Sequence, residues 1–179
     1  MKVAAGVLLI FVLVALAAPA IAPYDPRATP QSETQKNLPP SLAHPFGTDE
    51  FSRDVLSRVI YGSRVSLGVA VAAVALAMTL GAAVGAAAGY AGGWTDLICM
   101  RAVDAMLSVP RVLLLLVLVA STGPLSVGGI ILLLGLTGWG STSRLIRGEV
   151  IQLKESDYVL ASRATGTREW RVFVTPLLP

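Results

Sequence analysis

Side chains able to do chemistry are sparse in this chain, and their spacing excludes most of it. His44 is the only histidine and Cys99 the only cysteine, so neither a zinc or iron ligand set nor an internal disulfide can be assembled around them. His44 reads as a solvated loop residue and Cys99 as a small buried hydrophobe. No GxxxxGK(S/T) phosphate loop, HExxH helix or GxSxG elbow occurs, and a proton relay would need more ionisable groups inside the apolar runs. The chain reads as a non-enzyme that binds no metal and needs no cofactor. Two features remain. Arg101 and Asp104 stand at i, i+3 close to a membrane boundary, where charges must pair or face water; their spacing predicts an ion pair, with the lining of an aqueous path as the alternative. The second feature is the tail Ser156–Pro179. Written as a helix, Tyr158, Ala161, Ser162 and Thr165 share a face of mostly small side chains, Gly166 permits a turn, and Trp170, Phe173, Val174 and Leu177 repeat the spacing with large apolar groups. That is a helix–glycine–helix docking surface rather than a core.

The elements that must carry this tail are read from hydropathy. Of 179 residues 54% are hydrophobic and only 14% charged, and a mean hydropathy of +0.70 places the chain among membrane proteins. Residues 1–22 hold an uncharged run from Val3 long enough to cross the bilayer, the first transmembrane helix. Ala20-Ile21-Ala22 resembles a signal-peptide cleavage site, but the charged segment before the run is minimal and Pro23 would follow the cut. Residues 23–64 form an aqueous loop with prolines at 23, 26, 30, 39, 40 and 45, which prevent long regular structure. Within it Thr48 is positioned to cap a helix carrying Asp49 and Glu50 in its first turn. Further helices are expected at about 65–90, 97–120 and 126–146, with Pro110 kinking the third or starting its apolar part. In the second, Ala73, Ala77, Gly81, Gly85 and Gly89 recur every fourth residue, a seam along which two helices can approach closely in lipid. The fold class is an all-α polytopic transmembrane bundle. The tail carries six basic against four acidic residues from Arg144 onward, while the loop balances five against five. Positive-inside bias therefore puts the N-terminus and tail in the cytoplasm and the loop outside.

Three stretches carry a further signal: HPFGTDEFSRDVLSRVIYGSRVSL at 44–67, GYAGGWTDLICMRAVDAMLSVP at 89–110 and RLIRGEVIQLKESDYVLASRATGTREWRVFVTPLLP at 144–179. In this order, over nearly the whole chain, they resemble the C-type permease subunit of the dipeptide, oligopeptide and nickel ABC importers of bacteria. The resemblance implies a type I importer permease of the inner membrane with about six crossings, of which about four are present here, so that the chain reads as ending after the motif called the EAA loop, at 147–179. It implies that this cytoplasmic loop couples the permease to a separate ATPase, with the motif's alanine pair on Ala161 and Ser162, its glycine on Gly166 and its closing Leu-Pro on Leu178 and Pro179. The motif's glutamate falls on Leu160, Pro176 stands inside the second short helix, and Ser52 stands where the family generally has glycine. The partners implied are a second, B-type permease, two ATP-binding subunits, a periplasmic solute-binding protein and membrane lipid, with no nucleic acid. The alternative is a stand-alone structural or regulatory membrane protein with an interfacial basic tail, or a non-functional permease fragment.

Overall fold

The computed structural model describes residues 2–28, 35–157 and 159, and among them every regular element is an α-helix. These are α1 (Lys2–Ile21), α2 (Val55–Ala91), α3 (Gly93–Ser108), α4 (Arg111–Thr122) and α5 (Val127–Lys154). Helices α1, α2 and α5 are long and apolar enough to cross a membrane, and α3 with α4 passes the same test as a bent pair. Helices in lipid must satisfy every backbone group internally, and α1 does so while leaving Leu8, Ile10, Phe11 and Leu16 more than half exposed, as a lipid-facing helix can. The chain divides into two compact units, Met1–Val71 and Ala72–Pro179.

In the first unit the loop after α1 is ordered by side chains bonding to backbone. The Thr48 hydroxyl accepts the Leu38 N–H at 2.9 Å and donates to the Gln35 carbonyl. Gly47 has φ +72°, and a Cβ there would lie 2.3 Å from the Leu38 carbonyl oxygen, so only glycine fits this crossing. Thr48 does not cap a helix as the sequence suggests. The Asp49 carboxylate accepts the N–H groups of Phe51 and Arg53, each at 2.9 Å, which folds 49–53 into a turn, and Ser52 sits there at φ +61°. Helix α2 starts after this turn, with Asp54 in the capping position: its Oδ2 accepts the Ser57 N–H at 2.7 Å. The short helix expected to follow Thr48 and the membrane helix expected from Val65 are thus one helix, which begins at Val55. Nor is His44 solvated. Its Nδ1 lies 3.0 Å from Asp54 Oδ1, its side chain is 18% exposed, and its ring stacks on Tyr24 at 4.9 Å between centroids. The Tyr24 N–H donates to Ser57 Oγ at 3.0 Å, joining the segment that follows α1 to the first turn of α2.

In the second unit, positive φ at Gly92 (+64°) and Gly93 (+51°) turns the chain sharply from α2 into α3. The single helix expected at 97–120 is broken: α3 and α4 meet at 80°. Val109 is extended, with φ −93° and ψ +129°, because Pro110 disfavours the helical conformation of the residue before it. Positions rise together where α2 meets α5, from Leu76 against Gly135 to Gly89 against Val150, so these two helices run parallel. The chain therefore leaves α2 at one end of the pair and enters α5 at the other, and the bent pair α3–α4 makes the return crossing.

Candidate functional site: the α2–α5 seam and its charged end

The three glycines singled out on α2 all lie on α5. A Cβ at Gly81 would stand 2.8 Å from the Trp139 carbonyl oxygen, one at Gly85 2.4 Å from that of Ser143, and one at Gly89 3.0 Å from that of Arg147. Real Cβ contacts are essentially never as short as the first two distances and seldom as short as the third, so backbone meets backbone at each step, and dispersion over the length of the contact replaces the hydrophobic force that lipid does not supply. Helix α5 returns the arrangement. Gly135 receives the Leu76 side chain, with 2.5 Å from its notional Cβ to Leu76 Cδ2, and Gly140 receives Met106 of α3, with 2.5 Å to Cε. Gly135, Gly140 and Ser143 are buried, and the Ser143 hydroxyl has no hydrogen-bond partner among the described residues.

Beyond the glycines the contact becomes ionic. Arg147 grips Asp96 of α3 with Nε and Nη2 on the two carboxylate oxygens, the paired geometry that makes arginine more specific than lysine. Arg144 pairs with Asp104. The ion pair expected between Arg101 and Asp104 is not what forms: Asp104 turns to α5, because the antiparallel course of α3 along α5 brings a second cation to it. Lys154 reaches the C-terminus of α2, where Nζ donates to the carbonyl of Tyr90 at 2.8 Å and lies 3.4 Å from that of Gly89. Those carbonyls lack helical partners at a helix end and carry its negative partial charge. A fourth tie, from Arg111 Nη2 to the Leu134 carbonyl at 3.1 Å, fastens the start of α4.

The result is a stem. The last three turns of α5 are fixed to α2 through Lys154 and to α3 through two arginines. The predicted docking residues Ala161, Ser162, Gly166, Leu178 and Pro179, and with them Leu160 and Pro176, lie outside the described residues. The stem itself escaped sequence reasoning. Its signal was present, since two carboxylates eight residues apart on α3 need partners near a bilayer, but the partners are 51 and 40 positions away.

Comparison with known proteins gives two family matches. Residues 77–179 match the binding-protein-dependent transport system inner membrane component family, and residues 2–40 match the N-terminal TM domain of oligopeptide transport permease C. The chain is 40% identical over 173 residues to the dipeptide transport system permease protein DppC of Bacillus subtilis, covering 97% of this chain and 53% of that protein. It is 36% identical over 173 residues to the oligopeptide transport system permease protein OppC of the same organism, covering 97% and 56%. A putative peptide transport system permease protein of Brucella suis is 36% identical over 172 residues, covering 96% and 57%. The chain spans about half the length of the curated relatives it matches.

Proposed function

The chain belongs to the family of binding-protein-dependent transport system inner membrane components, and on that premise we propose that it forms part of the membrane path of an ATP-driven peptide importer. Dipeptides or oligopeptides are the proposed cargo, as the names of the relatives suggest. In this reading residues 1–22 anchor the chain, residues 23–64 face the periplasm and receive a solute-binding protein, and residues 65–179 form the permease domain with the coupling loop at 147–179. The N-terminus and the tail are cytoplasmic. A B-type permease completes the path, and two ATP-binding subunits drive it.

The observation that supports coupling is the stem. The basic residues of α5 that precede the tail are tied to α2 and α3, so an ATPase that grips Ala161, Ser162, Gly166, Leu178 and Pro179 would have a rigid lever to push. ATP must bind the two states of the transporter with different affinity for such a push to do work, and the helices joined at Gly81, Gly85 and Gly89 would then rock as a body. The test places Gly166→Val in a transporter reconstituted with its permease, ATPase and binding-protein partners. Loss of peptide uptake and of substrate-stimulated ATP hydrolysis, with membrane insertion intact, is the expected outcome. Parental uptake would remove the coupling role.

A further inference from the structure

The first unit carries a second feature, independent of the coupling reading. Arg58, Tyr61 and Arg64 recur every three residues on one face of α2, and together with Arg27 they line a cavity of about 420 Å³. Arg58 shares Asp49 with Arg53, whereas the side chains of Arg27 and Arg64 form no ion pair among the described residues; the nearby Asp25 carboxylate accepts the Arg27 backbone N–H at 2.8 Å. A second cavity, of about 380 Å³, shares Arg64 with the first and is otherwise apolar, lying between Val12 and Leu16 of α1 and Leu67 and Val71 of α2. Gly68 leaves its wall open, since a Cβ there would meet nothing within 4 Å.

We propose that this unit binds one anionic phospholipid, its phosphate held by Arg27, Arg58 and Arg64 and one acyl chain lying in the groove between α1 and α2. The argument is charge complementarity joined to continuity. Guanidinium groups without an ion pair, Arg27 in the loop and Arg64 on α2, call for an anion that Arg58 can share with Asp49, and guanidinium groups match phosphate oxygens with paired hydrogen bonds. The apolar groove starts at one of those same arginines, so the anion it suits has a hydrocarbon chain attached. Tyr61 lies between Arg58 and Arg64 on the same cavity wall, and aromatic rings are favoured where headgroup meets chain. A free phosphate or a peptide carboxylate would use the arginines and leave the groove to bulk lipid.

The test is native mass spectrometry of the full chain in a zwitterionic detergent, titrated with dioleoylphosphatidylglycerol and, separately, with dioleoylphosphatidylcholine. The parent is expected to retain phosphatidylglycerol in preference to phosphatidylcholine. Arg27→Gln with Arg64→Gln should weaken phosphatidylglycerol binding roughly tenfold or more, taking the contribution of a basic residue near a lipid surface for each. Gly68→Leu, which fills open space and leaves all three charges, should weaken it as well. Equal retention of the two lipids, or unchanged binding in the double variant, overturns the proposal. Displacement of phosphatidylglycerol by inorganic phosphate, or parental binding by Gly68→Leu, shows a simple anion pocket and overturns the acyl-chain part. Far-ultraviolet circular dichroism checks that each variant keeps its helix.

Discussion

The loop from Gln35 to Asp54 and the seam between α2 and α5 are both closely fitted, yet they use opposite parts of the amino-acid repertoire. In the loop the buried polar residues Thr48, Ser52 and Asp54 are followed by buried Ser57 on α2, and Thr48, Asp54 and Ser57 each bond a backbone group. An irregular segment has unpaired N–H and C=O groups, and side chains must supply what a helix would supply for itself. Short of its charged end the seam needs none of this, because helices satisfy their own backbone and gain only from closeness. There the useful residue is the one with no side chain. A polar network therefore orders the loop and should respond to pH, while contact orders the seam and should respond to volume.

The largest effect that follows is steric. Gly85→Val places a branched side chain where even a Cβ would lie 2.4 Å from the Ser143 carbonyl, and backbone on both sides cannot yield as a flexible side chain could. A loss of about 3 kcal/mol is expected from overpacking of this kind, measured by reversible unfolding of the chain in mixed micelles. Gly148→Ala is the matched control on α5: nothing lies within 4 Å of its notional Cβ, and alanine should be neutral or gain up to about 1 kcal/mol in helix propensity. Equal losses in the two variants would break the account of the seam.

The next effect is chemical and belongs to the loop. Asp54→Ala removes the cap of α2 and the partner of His44 together, at a cost of about 2 kcal/mol, read as faster amide exchange over residues 38–57 with the seam amides unchanged. Titration should reach the same end. Burial would raise the Asp54 pKa, but the N–H and hydroxyl of Ser57 and the His44 imidazole outweigh it and hold the carboxyl below its usual value. Asp49, likewise opposed by burial, is lowered by the N–H groups of Arg53 and Phe51 and by the Arg53 side chain. For a depressed carboxylate the stabilisation is complete above the unfolded value, about 4, and is lost as pH falls through the folded value. Loop protection should therefore fail below about pH 4 while that of the seam around Gly81 and Gly135, away from its carboxylates, persists; a loop as protected at pH 3 as at pH 7 would sink the polar account.

The same contrast explains which parts could be read from the chain beforehand. Gly81, Gly85 and Gly89 were legible because contact between helices leaves a mark every fourth residue, a local pattern. The all-helical class was legible for the same reason, since apolar length is local too. The loop was not, because its order depends on pairs such as Tyr24 with Ser57, 33 positions apart, and nothing near His44 announces Asp54 as its partner. Pro110 marked a break, but its size of 80° depends on how α3 and α4 meet α5. Ser52 is intermediate: the resemblance had flagged glycine as usual there, and its φ of +61° is the physical reason a residue without a Cβ would suit the turn.

The smallest effect tests whether the seam gains anything from polarity. Ser143 is fully buried, and its hydroxyl has no partner among the described residues. Elsewhere on the same helix the Thr137 hydroxyl donates to the Leu133 carbonyl at 2.7 Å, so back-bonding along α5 is available and Ser143 does not use it. A buried hydroxyl without a partner costs free energy, whereas alanine keeps the small volume that Gly85 needs opposite it. Ser143→Ala should therefore leave stability unchanged or raise it by up to about 1 kcal/mol, in the same micelle unfolding experiment used for Gly85→Val. A loss of that size would mean that the hydroxyl meets a partner when the chain sits in its membrane, and the seam would then share the loop's dependence on polar pairing.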